Sequence, residues 1–337
     1  MAALTNTLTT YDVGASGGNR EELADRIFDI SPEETPTLSM IGKENVKSVH
    51  PEWLIDTLEE GDTDNAYPQG DEYEYDAVSV PSRVGNYTQI SRESFIISKT
   101  QEETDKAGRK SEIAREIRRK GLKLRFSMEG IILSNQASLA GNNSTPGKLG
   151  GFPAWLTSNA LRGSGGSDGG FNSSTGVVDA ATNGSQRAFS KTLLDELCQT
   201  VHNSGGNVKN LMVSNYVKTV FSGLMNTSAT GQFRTNLAGN EQGTITSAAD
   251  MYVSDFGVVK IIPNRRMTKL GAAIARNAFM IDPEYVKLGV FRPIQQDKPT
   301  RTGDAEKRVM ITEYTLLCKN EAAHGVIADL YGMTASS

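Results

Sequence analysis

The stretch that decides the fold is "NYTQISRESFIIS" (86–98), followed without interruption by "KTQEETDKAGRKSEIAREIRRKGLKLRFSMEGIIL" (99–133). The first part alternates polar and apolar residues, which is typical of a half-buried strand. The second part contains no proline, and we predict one helix from about Gln101 to Gln136, roughly 50 Å long at 1.5 Å per residue. Its stripe, at a spacing of three and four, consists of Ile113, Ile117, Gly121, Leu124, Met128 and Ile131 or Ile132. Gly121 on this stripe indicates a close backbone approach.

The bulk composition is that of a soluble globular protein. Of 337 residues, 37% are hydrophobic and 22% are charged, so we expect a sizeable core and about two domains, or one domain with large excursions. A net charge of -5 argues against a dedicated DNA-binding protein. The first residues lack the pattern of a signal peptide, and no apolar run approaches the roughly 20 residues that span a bilayer. Cys198 and Cys318 lie far apart and are interpreted as buried thiols.

The rest of the chain reads as a mixture of helices and long strands. Before the decisive stretch we predict a loose arm with a short helix from Asn19, then strands at Trp53–Leu58 and Tyr73–Val80 separated by a turn-rich excursion. After it, the glycine- and serine-rich residues 162–176 predict a flexible surface loop. A helix capped by Ser190, a short buried strand "NLMVS", a helix "NYVKTVFSGLM" and a β-rich region from residue 251 follow. This order indicates an α+β fold.

Sequence motifs for catalysis, metals or cofactors are weak. Residues 14–18 and 165–169 match G-x-S-x-G, but neither match follows a buried strand, as a nucleophile elbow requires. The three histidines are far apart, and no phosphate-binding glycine loop is present. The acids Asp62, Asp64, Asp71 and Glu72 invite a calcium interpretation, but they do not follow the EF-hand pattern and are better explained as a solvated loop. We expect no enzyme, no cofactor and no metal.

Two charged segments of opposite sign stand out. Residues 56–76 contain nine acids and no lysine or arginine, and residues 106–125 contain nine basic residues and two acids. Both could simply be solvated faces, or the acidic segment could lie against the basic helix, within one chain or between copies. Candidate contact residues between subunits are Glu59, Glu60, Asp62, Asp71, Glu72, Arg109, Arg115, Arg118, Arg119 and Lys123. The competing hypothesis gives the basic face to the phosphates of DNA and leaves the acids to water.

The order of these parts resembles the major capsid (major head) proteins of tailed phages, which have the Hong Kong 97-type fold. Segments similar to that family include "EWLIDTL", "NYTQISRESFIISKT", "GGFPAWLTSN", "DELCQTVHNSGGNVKNLMVSN" and "GDAEKRVMITEYTLLCKNEAAHGVIADL". The resemblance extends over roughly residues 20–331 and depends on several segments in the right order.

The resemblance implies a division of the chain into the parts of that fold. It implies an N-terminal arm (1–48), an E-loop hairpin with flanking strands (49–98), a peripheral-domain spine helix (99–140), an axial domain (141–292) and peripheral-domain return strands (293–337). Some family members crosslink covalently through an E-loop lysine, but residues 52–80 contain no lysine. That chemistry is therefore not expected here. The chain also begins directly with the arm, so any scaffolding protein is expected to be separate.

The implied function is structural. Copies would assemble as pentamers and hexamers into an icosahedral head around double-stranded DNA, with a portal and with any scaffolding or decoration protein as further partners and no membrane contact. The protein would be made in the host cytoplasm and reside in the virion. Two alternatives stay open at this point: an encapsulin-type nanocompartment shell with the same fold, and a hydrolase built on one of the serine motifs.

Overall fold

The structure is a computed structural model that describes residues 34–58, 61–72, 75, 77–106, 108–224, 250–301 and 303–335. The predicted helix from Asn19 and most of the arm lie outside these residues. The helices are α1 (Pro36–Met40), α2 (Lys99–Glu103), α3 (Glu112–Leu133), α4 (Phe152–Trp155), α5 (Lys191–Asn203), α6 (Asn215–Leu224), α7 (Arg265–Lys269) and α8 (Ala272–Ala275), with a 3-10 turn at Glu321–Ala323.

Fourteen strands are found in the described residues. They are β1 (Gly42–Asn45), β2 (Glu52–Ile55), β3 (Ser82–Gly85), β4 (Gln89–Ser98), β5 (Ala160–Leu161), β6 (Gly170–Asn172), β7 (Val177–Asp179), β8 (Asn210–Val213), β9 (Met251–Ser254), β10 (Gly257–Pro263), β11 (Ala278–Ile281), β12 (Val286–Asp297), β13 (Ala305–Cys318) and β14 (Gly325–Ile327). This mixture confirms the α+β class, and the β-rich region after residue 251 is confirmed as well.

A four-stranded sheet with the order β1-β12-β13-β4 carries the decisive stretch. Strand β4 pairs antiparallel with β13, and β1 pairs parallel with β12. Along β4 the side chains alternate between half-buried and exposed, as predicted. Helix α3 packs against this sheet and buries Leu124, Met128 and Ile132, so the predicted stripe is confirmed at those positions. A Cβ at Gly121 would lie 3.3 Å from the Met310 methyl, so the close approach there comes from a side chain and not from a backbone.

A six-stranded mixed sheet with the order β5-β14-β11-β8-β10-β9 forms the second layer. Helices α5 and α6 bury Leu194, Leu197, Val217 and Phe221 in a core shared with its strands. Helix α5 begins where expected, because the Ser190 hydroxyl accepts a hydrogen bond from the Leu193 N–H at 3.3 Å. Both cysteines are free and buried, as predicted.

The prediction of one continuous helix from Gln101 to Gln136 is wrong. Helix α2 ends at Glu103, Gly108 takes a left-handed φ of 75°, and α3 begins only at Glu112. The break is stabilised by the Glu102 carboxylate, which accepts hydrogen bonds from the Ser111 hydroxyl at 2.6 Å and from the Glu112 N–H at 2.9 Å. These bonds satisfy the donors at the start of α3, which is 22 residues long, or about 33 Å.

The prediction of a strand at Tyr73–Val80 is also wrong for the residues that the structure describes. Strand β2 ends at Ile55, and its antiparallel partner β3 begins only at Ser82, so the ladder covers four residues on each side. The described residues between them form no strand. Their β-forming residues pair with no strand among the described residues, and such propensity alone does not hold a strand in water.

The interpretation of residues 162–176 as a flexible loop is wrong for part of that segment. Gly170–Asn172 pairs with Val177–Asp179 in a small hairpin, and Ser167 bridges Thr182. A Cβ on Gly163 would lie 2.0 Å from the Ser185 carbonyl oxygen, so this glycine allows a close backbone approach. Glycine here serves packing as well as turns.

Candidate assembly surfaces

The segment between β2 and β3, residues 56–81, is the most exposed part of the described chain, and we call it the acidic loop. Its apolar side chains have no core to enter: the exposed fraction is 99% for Leu58, 92% for Tyr75, 91% for Val78 and 87% for Val80. Large apolar side chains exposed together mark a surface that is buried by another molecule. The loop therefore has the character of an interaction element.

The base of the acidic loop is firmly attached to the rest of the protein. Trp53 of β2 stacks on Trp155 of α4 with ring centroids 5.6 Å apart, and its indole N–H donates to the Lys319 carbonyl oxygen at 3.2 Å. Val84 of β3 is buried in the same core as Trp155. The acidic loop is therefore an exposed segment that begins and ends on well-packed strands.

The acids of this loop have no cation beside them in the described structure. Asp62, Asp71 and Glu72 are exposed. Asp62 and Asp71 accept hydrogen bonds only from nearby backbone, from Asp64 N–H at 2.8 Å and from Glu72 N–H at 3.0 Å. Glu59 and Glu60 lie outside the described residues. The three described acids are therefore available to a partner.

The candidate cations near and on α3 interact within their own chain. Arg109 and Arg115 both pair with Glu112, the latter at 2.8 Å, and Arg119 pairs with Glu116 at 3.4 Å. Arg118 is exposed on the same helix. Pairs three residues apart share a face of the helix, so these contacts follow from the spacing of acids and bases along it.

Lys123 is directed to the neighbouring strand. Its ammonium lies 2.8 Å from the Glu93 carboxylate of β4, and Lys120 lies 3.4 Å from the same carboxylate. Partial burial opposes ionisation of Glu93, but the hydrogen bonds from the two lysines outweigh it and lower its pKa. The two lysines thus help to fasten α3 to the sheet, a role that the sequence pattern did not reveal.

The weak motifs do not form sites in the described structure. Ser167 of the second G-x-S-x-G match lies in an antiparallel bridge, and the neighbouring Asp168 pairs with Arg162, so no strand leads into a nucleophile elbow. The first match lies outside the described residues. No group of three or more potential metal ligands occurs in the part of the chain that is described. None of its helices has the length and hydropathy of a membrane span.

The fold has relatives among solved phage structures. A chain from Mycobacterium phage Adephagia superposes with a TM-score of 0.59 at 10% identity, over 96% of this chain and 98% of the other. A chain from the cyanophage A-1(L) capsid asymmetric unit gives 0.58 at 10% identity, over 96% of this chain and 100% of the other. At such identities the likeness concerns the fold alone.

The sequence comparison decides the family. The family model described as SU10 major capsid protein matches residues 3–331. The chain belongs to the SU10 major capsid protein family. A relative described as the major capsid protein of Escherichia phage Phieco32 is 32% identical over 128 residues, which is 38% of this chain and 36% of that protein.

Membership of this family confirms the resemblance to tailed-phage major capsid proteins. The encapsulin alternative gains no support, since these matches name phage and capsid proteins. The hydrolase alternative gains none either, because the family is one of structural capsid proteins.

One buried contact of this capsid protein was not predicted from the sequence. Glu129 of α3 is fully buried, and its carboxylate accepts hydrogen bonds from Asn264 Nδ2 at 2.7 Å and from the Thr37 hydroxyl at 3.2 Å. Burial raises the pKa of Glu129. The contact ties α1, α3 and the turn before α7 together. A glutamate beside the apolar stripe is usually exposed, and its burial here depends on Thr37 and Asn264, which are distant in sequence.

Proposed function

We propose that this capsid protein assembles as pentamers and hexamers into the icosahedral head of a tailed phage and encloses double-stranded DNA. The observation that carries the proposal is the acidic loop, whose Leu58, Tyr75, Val78 and Val80 are each at least 87% exposed on a firmly held base. Leaving so much apolar surface in water is unfavourable, at about 25 cal/mol per Å², and burial against another copy removes that cost.

The parts of the Hong Kong 97-type fold supply the architecture of the proposal. Residues 1–48 act as the arm, 49–98 as the E-loop with its strands, 99–140 as the spine region, 141–292 as the axial domain and 293–337 as the return to the peripheral domain. The break between α2 and α3 falls inside the spine region. A portal, and any scaffolding or decoration protein, are separate partners, and synthesis takes place in the host cytoplasm before assembly of the virion.

The charged surfaces orient the copies within this proposal. The uncompensated acids Asp62, Asp71 and Glu72 of one copy lie against basic residues of an adjacent copy. Arg118 and Arg119 are exposed on α3 and are the candidates on that helix, whereas Arg115 is only half-exposed and pairs with Glu112. Exposed pairs contribute only about 0–1 kcal/mol each, so their effect is on register and orientation.

The competing hypothesis assigns the basic face to the genome. Arg118 and Arg125 are both exposed, seven residues apart and so on one face of α3, and phosphates would be attractive partners for such a row. Reversing the charge of Arg118 and Arg119 to glutamate separates the two hypotheses. Pairing between copies predicts weaker assembly of empty shells, partly restored by changing Asp62, Asp71 and Glu72 to lysine. Unchanged empty shells with poorer DNA filling would favour the genome hypothesis.

Electron microscopy of the expressed full-length chain tests the function itself. We expect closed shells, or rings of five and six subunits. A protein that stays monomeric at high concentration, with the acidic loop protected from proteolysis, would refute the proposal. Protein cargo inside purified shells in place of nucleic acid would favour a nanocompartment.

A further inference from the structure

A half-open cavity of about 300 Å³ lies between the base of the acidic loop and the small glycine-rich hairpin β6–β7. Its apolar walls are Ile55 and Val84 from the loop base, Trp155 from α4 and Phe171 from β6. The rings of Trp155 and Phe171 are nearly parallel, with an angle of 8° and centroids 6.2 Å apart. The cavity is therefore shaped by aromatic and branched side chains, the usual lining of a site that receives an apolar group.

Two charged groups stand at this cavity. Glu321 is held in place by the backbone N–H groups of Thr157 and Ser158, at 3.1 and 3.2 Å from its carboxylate. Arg83 is 69% exposed and lies 3.5 Å from Glu52 in a loose pair. In addition, the buried indole N–H of Trp155 has no hydrogen-bond partner within the described residues.

Apolar walls with a carboxylate and a guanidinium beside them match the phenol side chain of a tyrosine. An aromatic ring matches the apolar walls, and its hydroxyl can donate to the Glu321 carboxylate or accept from the exposed Arg83 guanidinium. A phenylalanine ring would add no hydrogen bond to the Glu321 carboxylate, which already accepts from the Thr157 and Ser158 N–H groups and from the Ser158 hydroxyl, and an acidic side chain would be repelled by it. Tyrosine is also a side chain that protein interfaces favour as an anchor in a pocket.

The acidic loop contains a tyrosine that is almost fully exposed. Tyr75 of the acidic loop is 92% exposed and is flanked in sequence by Glu74 and Asp76, whose charges complement Arg83 at the cavity. Tyr67 is less exposed, at 74%, and has Ala66 and Pro68 beside it. Tyr75 is therefore the better match to a cavity that has a cation at its rim.

We propose that the cavity beside Trp155 and Phe171 is the receptor for Tyr75 from the acidic loop of a second copy of this chain. The inference rests on the proposed self-assembly and names one contact within it. Ser82 at the start of β3 lies seven positions after Tyr75, so the loop carries the ring up to about 25 Å from its base. A loop of one copy inserted at the loop base of the next is a head-to-tail contact, and such contacts close into rings when the rotation permits.

Disulfide trapping identifies the occupant directly. One chain carries Tyr75→Cys and a second carries Ser173→Cys, at the exposed rim of the cavity; the two are mixed, assembled under reducing conditions and then oxidised. We expect a crosslinked dimer on a non-reducing gel. Replacing the first variant by Tyr67→Cys is the matched control and should give several-fold less dimer. Equal crosslinking from both positions, or none from Tyr75→Cys, would overturn the proposal.

Filling the cavity provides a second readout that does not depend on cysteine chemistry. Ser173→Trp places a bulky ring at the rim, whereas Ser174→Trp, one residue further along an exposed turn, does not line the cavity. Circular dichroism should show both variants folded, and only the first should assemble poorly. Tyr75→Phe should weaken assembly less than Tyr75→Ala.

The outcomes separate the inference from the proposed function. If the unmodified chain forms shells while the Tyr75 and Ser173 variants neither crosslink nor impair assembly, this inference fails and the capsid function stands. If the unmodified chain forms no shells at all, the proposed function is refuted, and the inference is refuted with it because it rests on self-assembly.

Discussion

Acidification should unfold this protein partly through one buried histidine, His324. Its ring is fully buried, packs edge-on against Phe152 with centroids 5.3 Å apart, and accepts a hydrogen bond at Nδ1 from the Asp282 N–H at 3.2 Å. The neutral ring therefore carries its proton on Nε2, which has no partner in the described structure. The imidazolium form would have to lose its Nδ1 hydrogen bond and place a charge in an apolar site.

The magnitude follows from the displaced pKa. Burial lowers the pKa of His324 from 6.5 to about 4, although the neighbouring Asp282 opposes the change. In the unfolded chain the histidine binds its proton below about pH 6.5, whereas in the folded chain it stays neutral down to about pH 4. The free energy of unfolding therefore falls over this interval as the pH is lowered. The loss reaches about 2 kcal/mol at pH 5 and about 3 kcal/mol near pH 4.

Urea denaturation of the full-length chain, at concentrations below assembly, measures this loss between pH 7.5 and 4.5. Carboxylates titrate in the lower part of that range, so the decisive quantity is the difference between variants. His324→Gln removes the group, and its stability should vary with pH less than that of the unmodified chain by about 2 kcal/mol. His202→Gln, at an exposed position, is the control and should keep the full dependence. A parallel pH dependence for the unmodified chain and His324→Gln would refute the reasoning.

Four further predictions concern stability in urea denaturation. Gly163→Ala should lower the free energy of unfolding by about 2 kcal/mol or more, because its Cβ would stand 2.0 Å from the Ser185 carbonyl oxygen. Gly223→Ala has nothing within 4 Å and should raise stability by up to about 1 kcal/mol; equal effects at both glycines would contradict the packing argument. Glu129→Gln should stabilise the protein at pH 8 more than at pH 4, because the raised pKa of Glu129 disfavours the charged folded form as the pH rises; a constant difference would argue against it. Phe221→Ala should cost about 3–5 kcal/mol through the cavity it leaves, and a loss below 1 kcal/mol would show that the site collapses.

Local signals in the sequence predicted local structure well. The alternation over residues 86–98 became β4, and the serine at position 190 caps α5 through the hydrogen bond expected of it. The break at residues 104–111 also had local signals, since Gly108 and the capping residue Ser111 are both suited to ending one helix and starting the next. The prediction of one continuous helix rested on the absence of proline, which does not exclude a break at a glycine. The hydrogen bond from Ser111 to Glu102, which stabilises the break, joins side chains nine residues apart.

The partners of the charged residues could not be predicted from the sequence. Sequence counting located the basic helix and the acidic loop correctly as segments of opposite charge. It did not show that Arg115 is already paired with Glu112, or that Lys123 reaches Glu93 on another element. These pairings depend on side-chain rotamers and on the distance between α3 and β4. The spacing of residues in the sequence gives neither.

By itself, the sequence determined the class of the fold, the family and the absence of a strong catalytic motif, because periodicity, capping and the order of segments are properties of short stretches. The tertiary structure decided which of those stretches found partners. It buried Glu129 against Thr37, packed Gly163 against backbone and left Tyr75 almost fully exposed. The physical reason is that burial and pairing depend on residues far apart in the chain, and a free energy gained between such residues leaves no local pattern in the sequence.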